Sequence, residues 1–164
     1  MASPLSYIAA GYQQVAFVVE DMDAAEKVFC EKLGVPRFCR FDHFQVDNGV
    51  YRGRPTEFHY HLSIVYAGET QIELIQHLEG DSIYKEFLDE KGEGVHHLGF
   101  ILDDHGKVVK DFASNGYDIV QGGKVGGSNF AYFDMRKEIG IYVETIVPDA
   151  EGRALFERIR RGDY

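Results

Sequence analysis

Gln14-Val15-Ala16-Phe17-Val18-Val19-Glu20-Asp21 and His97-Leu98-Gly99-Phe100-Ile101-Leu102-Asp103-Asp104 are two copies of one pattern. Each runs through an apolar, partly alternating segment into acidic residues, which reads as a strand passing into a helix start. The first copy continues through a helical pattern to Gly34 and the second to Gly116, so strand, helix and glycine stop recur at nearly the same spacing. A duplicated unit that opens each first strand with a polar side chain, Gln14 or His97, can bring ligands together from two halves of a chain.

Composition bounds what surrounds the repeat. At 164 residues, with 45% hydrophobic and 13% aromatic content, the chain can bury one sizeable core, and a single domain over 1–164 is expected. No apolar run approaches the roughly 18 residues that cross a bilayer, and residues 1–10 lack a basic start followed by a long apolar stretch. A soluble, cytoplasmic protein without a membrane partner is therefore expected. The net charge of −10 argues against nucleic acid as a partner. Basic residues gather only locally. Arg37, Arg40, Arg52 and Arg54 form one group, either a solvated face or a dock for a phosphate-bearing small molecule, and Arg153, Arg158, Arg160 and Arg161 form another. Cys30 and Cys39 lack Cys-x-x-Cys spacing and read as reduced, buried thiols.

The first half reads as strand 12–19, helix from the N-cap Asp21 to Leu33, strand 37–46, strand 58–66 and strand 70–76. Residues 47–55, with Asn48-Gly49, Gly53 and Pro55, read as a loop by turn chemistry. On the strand after it, Phe58, Tyr60, Leu62, Ile64 and Tyr66 share one face, and His59, His61, Ser63 and Val65 share the other. A bridging helix over 82–90 leads to the second half: strand 95–102, helix 104–115, and strands 117–121, 129–134 and 140–146. Gly122-Gly123 and Gly126-Gly127 predict a loop between the second and third of these strands, and residues 149–161 predict a C-terminal amphipathic helix.

Two modules of strand, helix and three strands, with His97-Leu98-Gly99-Phe100 opening the second and Ile72-Glu73-Leu74 and Val143-Glu144-Thr145 near each module's end, resemble the vicinal oxygen chelate superfamily. Its members include glyoxalase I, methylmalonyl-CoA epimerase, extradiol dioxygenases and bleomycin-resistance proteins. The resemblance implies an α+β fold: two βαβββ modules, over 10–78 and 94–147, forming a curved mixed-sheet cup, with a C-terminal helix over 148–164. Within the superfamily the stretch from Ile72 to Leu98, with Asp81-Ser82-Ile83-Tyr84, Gly92-Glu93-Gly94 and the pair His96-His97, is most similar to methylmalonyl-CoA epimerase.

Carried over position by position, the resemblance implies a divalent metal ion held by Gln14, Glu73, His97 and Glu144. Oxygen donors with one imidazole suit Mg²⁺, Mn²⁺, Co²⁺, Ni²⁺ or Zn²⁺. The residues support the set on their own terms: a glutamate buried alone in an apolar strand costs several kcal/mol, so Glu73 and Glu144 want a cation. Gln14 departs from the histidine usual at that place. Alternation turns His96 away from the side that His97 faces. The implied activity is an isomerase or lyase working through a metal-stabilised enolate, on an acyl-CoA such as methylmalonyl-CoA or another α-oxo compound. Glu144 or Glu73 would act as base, and His59 or His61 would relay the other proton. The alternatives are a small-molecule binding or resistance protein whose cup is lined by Phe17, Phe41, Phe100, Phe130 and Tyr132, or a glyoxalase-type or extradiol dioxygenase-type enzyme. A homodimer is expected from the family's habit.

Overall fold

The computed structural model describes residues 5–164; residues 1–4 of the N-terminal stretch considered above lie outside them. A 3₁₀ turn over Ile8–Gly11 enters strand β1, Tyr12–Val18. Helix α1, Met22–Leu33, starts where Asp21 accepts a hydrogen bond from the Ala24 amide and stops at Gly34, which takes a left-handed φ of 69°. Strands β2 (Cys39–Gln45), β3 (Asp47–Tyr51), β4 (Arg54–Pro55), β5 (Phe58–Ala67) and β6 (Thr70–Gly80) complete the first half. Helix α2, Ile83–Lys91, is capped by Ser82 and bridges to the second half. There β7 (Gly94–Ile101), α3 (His105–Ser114, capped by Asp104), β8 (Ile119–Val125), β9 (Ser128–Asp134), the single turn α4 (Arg136–Ile139) and β10 (Tyr142–Pro148) follow. Helix α5, Ala150–Arg161, ends the chain.

All ten strands form one curled mixed sheet in the order β2-β5-β6-β1-β7-β10-β9-β8-β3-β4. The first module's order, β2-β5-β6-β1, mirrors the second module's, β8-β9-β10-β7. In each, the first strand pairs in parallel with the last, β1 with β6 and β7 with β10. The two first strands pair antiparallel and join the halves. This is the α+β, glyoxalase-like cup with a C-terminal helix that the family resemblance implies.

Two expected loops are strands. Residues 47–55 form the hairpin β3–β4, in which Tyr51 pairs with Arg54 across Arg52 (φ 46°) and Gly53 (φ 76°), a two-residue turn of left-handed conformers. β3 also pairs antiparallel with β8 of the other module, a long-range ladder that no local turn signal reveals. Gly122-Gly123 lie inside β8, where a Cβ on Gly123 would stand 2.3 Å from Val46 Cγ1. The glycine there serves close approach, and the turn is made by Gly126-Gly127 alone.

On the sheet's convex face Met22 of α1 packs with Val19, Phe38, Val65 and Leu74, and Val108 and Phe112 of α3 pack with Phe133 and Val143. Its concave face holds the largest core, where Phe58, Tyr60, Leu62, Ile64, Phe130 and Tyr132 meet α2 and α5. Burying each such side chain contributes about 1.5–3 kcal/mol. No helix among the described residues is long and apolar enough to cross a membrane.

Candidate metal centre

Four neighbouring strands, β6, β1, β7 and β10, bring Glu73, Gln14, His97 and Glu144 to one place on the concave face. The register explains how. Ala16 lies between Glu73 and His97, and Gly99 lies between Gln14 and Glu144. Two small residues thus alternate with four long polar ones in a checkerboard, and the long side chains meet above the small ones. A Cβ on Gly99 would stand 2.3 Å from Gln14 Oε1, so only glycine leaves room for that amide. Ala16 and Gly99 occupy equivalent places in the two copies of the repeat.

The cluster is buried: exposure is 1% at Gln14, 0% at His97 and 6% at both glutamates. His97 Nε2 stands 3.2 Å from Gln14 Oε1, 3.3 Å from Glu73 Oε2 and 3.2 Å from Glu144 Oε2. Gln14 Nε2 donates to Gln71 Oε1 and, at 3.1 Å, to Glu73 Oε1, while Gln71 Nε2 donates to the Tyr66 hydroxyl at 3.2 Å. This chain of amides turns Gln14 so that its oxygen faces the cluster. Gln71 was not singled out from the sequence, although its place two residues before Glu73 puts it on the same strand face.

These residues fit a divalent ion. Glu73 Oε2 and Glu144 Oε2 are buried with no hydrogen bond of good geometry, both crowding the single His97 Nε2, an arrangement that a cation between them would satisfy. Ligand atoms of Glu73, His97 and Glu144 all lie within 4.8 Å of one another, a span that one ion at about 2.0–2.5 Å from each can bridge. Burial pushes the Glu73 carboxyl above the usual range, with the Glu144 charge adding to it and the His97 contact opposing it. Burial pulls His97 down, but the carboxylates of Glu144 and Glu73 outweigh it and raise the imidazole to about 9.

The cup above the cluster encloses about 60 Å³ and is lined mainly by apolar side chains, among them Phe41, Phe44, Leu62, Phe130, Leu155 and Phe156. Tyr60, Tyr84 and Tyr132 add three phenols, which burial and then nearby charged or ionisable groups keep protonated well past their ordinary range. Tyr84 donates to the Tyr132 hydroxyl at 2.9 Å. Leu155 and Phe156 come from α5, so the C-terminal helix forms part of the cup's wall. Among the described residues, no lysine or arginine lines it.

Other expected residues lie elsewhere. His59 and His61 do not reach the cluster: they occupy the face of β5 opposite Tyr60 and Leu62. There His59 Nδ1 is 2.7 Å from Glu79 Oε1, and His61 Nδ1 is 3.0 Å from Asp42 Oδ1. Phe17 and Phe100 do not line the cup either. Phe17 packs edge-on to Phe29 of α1 and Phe100 to Tyr12, because the alternation that turns Gln14 and His97 inward turns residues three further on outward.

His96 departs in the opposite sense. Ala16 pairs with His97 and Phe17 with Val95, which leaves His96 as the extra residue of a β-bulge, and its ring turns inward beside His97 rather than away from it. The first arginine group has partners within the chain. Arg40 is held by Asp23 and Asp42, Arg52 by Glu86 through two bonds of 2.6 Å, Arg54 lies 3.9 Å from Asp81, and Arg37 meets the backbone of Tyr164. Cys30 and Cys39 are free thiols.

Comparison with known proteins agrees with this architecture. Methylmalonyl-CoA epimerase from Mycobacterium tuberculosis superposes with a TM-score of 0.61 at 21% identity, over 88% of this chain and 91% of that one. A Streptomyces coelicolor methylmalonyl-CoA epimerase variant in complex with 2-nitronate-propionyl-CoA superposes at 0.59 with 19% identity, over 85% and 97%. At these identities the likeness is one of fold. The uncharacterised protein YqjC of Bacillus subtilis (strain 168) is 27% identical over an alignment of 101 positions that covers 55% of this chain and 66% of that relative's length. The family model for the Glyoxalase/Bleomycin resistance protein/Dioxygenase superfamily matches residues 13–133, most of both modules, and the chain belongs to that superfamily.

Proposed function

We propose that the cup is the active centre of a divalent-metal-dependent isomerase or lyase that removes a proton from a carbon beside a carbonyl, with an acyl-CoA such as methylmalonyl-CoA as the candidate substrate. The observation that carries this reading is the pair of buried carboxylate oxygens, Glu73 Oε2 and Glu144 Oε2, which converge on the single nitrogen His97 Nε2 and have no hydrogen bond of good geometry. With Gln14 Oε1 they form a set of three oxygens and one imidazole that suits Co²⁺, Ni²⁺, Zn²⁺, Mn²⁺ or Mg²⁺. When bound, such an ion supplies a fixed positive charge that stabilises negative charge developing on a substrate oxygen.

The chain's own residues do the rest. Glu73 and Glu144 reach the cluster from opposite modules, and whichever carboxylate leaves the ion is the group available to take the proton. Tyr60 and Tyr132 keep their protons and can donate hydrogen bonds to a substrate oxygen, while the Tyr84 hydroxyl donates to that of Tyr132. The apolar wall excludes water, which strengthens these interactions. A cup of about 60 Å³ takes only the acyl end of a thioester, leaving the nucleotide outside. Complexes of neighbouring epimerases with methylmalonyl-CoA and with 2-nitronate-propionyl-CoA support that class of substrate.

The second reading, a protein that binds a small molecule without turning it over, draws on the cup's apolar lining. Gln14 in place of a histidine counts against a ferrous dioxygenase. Elemental analysis of the purified protein, followed by incubation with acyl-CoA thioesters in D₂O, separates these readings. Deuterium at the α-carbon with a stoichiometric divalent ion is expected; a metal-loaded protein that exchanges no thioester proton favours binding alone, and a metal-free one overturns the reading.

A further inference from the structure

His96 and His97 are consecutive, yet their Nδ1 atoms stand 2.9 Å apart and both rings are fully buried. The bulge at His96 allows this, since it sets both side chains on one side of β7. A hydrogen bond between two ring nitrogens holds one proton, so one Nδ1 donates and the other accepts. His97 Nε2 is the nitrogen that faces Gln14 Oε1, Glu73 Oε2 and Glu144 Oε2. A neutral imidazole that gives the Nε2 lone pair to a cation carries its proton on Nδ1, opposite His96 Nδ1.

Resting on the reading of the cluster as a metal centre, we infer that His96 is its positioning residue: His96 Nδ1 accepts the Nδ1 proton of His97 and holds His97 in the tautomer and orientation that present Nε2 to the ion. Metal-bound histidines commonly have a carboxylate, a carbonyl or water in this role. Here a carboxylate would add a third negative charge to a buried cluster that already holds two, whereas a neutral ring adds none. His96 is itself held in place. Its ring stacks on Tyr142 at 4.8 Å and meets the edges of Phe87 at 5.1 Å and Tyr84 at 5.4 Å. Its own proton then sits on Nε2, an atom buried without a partner.

Long-range ¹H–¹⁵N NMR of histidine-labelled protein, metal-free and loaded with Zn²⁺, reads the tautomers directly. Zn²⁺-loaded protein is expected to show His96 protonated on Nε2 only and His97 on Nδ1 only; a proton on His96 Nδ1 in the loaded form overturns the inference. Two variants test the consequence by chelator competition. His96→Phe keeps a ring in the stack but removes the acceptor, and is expected to weaken Zn²⁺ binding about 10–100-fold, while His96→Asn, which keeps an acceptor oxygen near the Nδ1 position, stays within about threefold of the parent. Equal affinity in all three proteins, or equal loss in both variants, overturns the positioning role while leaving the metal centre standing. A parent protein that binds no divalent ion overturns the metal centre and this role with it. The NMR readout needs no variant to fold.

Discussion

Gln14 can point its oxygen at His97 because Gly99 has no side chain: a Cβ there would stand 2.3 Å from Gln14 Oε1. Gly99→Ala is expected to displace Gln14, cost about 1–3 kcal/mol as overpacking does, and lower metal affinity, measured by denaturant melts and metal titration on the same preparation. The ligands themselves give a harsher result. His97→Ala and Glu144→Gln are each expected to abolish divalent metal in elemental analysis and α-proton exchange in D₂O, with far-UV circular dichroism unchanged; metal content equal to the parent's in both variants would refute the ligand set. Acidity provides a third check. His97 in the folded, metal-free protein sits at about 9, above its unfolded value near 6.5. Its contribution to apo stability is therefore fully present below about pH 6.5 and is lost as pH rises through about 9. Metal must displace that proton, so affinity should climb across the same window and level off above it, with proton release visible in calorimetry in buffers of different ionisation heat.

Helix α5 bears on the site although it contributes no ligand. Asp149 caps it by accepting from the amides of Glu151 and Gly152 at 3.0 Å, and the helix lays Leu155 and Phe156 into the cup's wall. Replacing both by alanine is expected to cost up to about 2 kcal/mol at each half-buried position. The change should widen the range of acyl groups accepted without altering metal content. Turnover or binding across thioesters of increasing acyl length reads this out, and an unchanged length preference would remove α5 from the specificity of the cup. The four longer helices were legible because their signals are local: Asp21, Ser82, Asp104 and Asp149 each precede a helical pattern and each accepts a capping bond. Strand β3 was not, since its partner β8 lies in the other module and its own Asn48 and Gly49 read as turn residues.

One chain supplies all four residues of the cluster: Gln14 and Glu73 come from the first module, His97 and Glu144 from the second, and the β1–β7 ladder joins the halves. One ion per chain is therefore expected at every protein concentration, and ion loss that tracks dissociation in parallel sedimentation and metal analyses would contradict it. The repeat in the sequence determined the two modules, most of their order of elements and the places of Gln14 and His97, because periodicity and capping act between near neighbours, while Glu73 and Glu144 followed from the family resemblance. Only the tertiary structure decided that Ala16 and Gly99 open the space in which those side chains meet, that the bulge turns His96 inward, and that His59 and His61 stay outside. Each of these depends on which residue lies across from which in the folded sheet, and a strand's own residues carry no record of its partner's register.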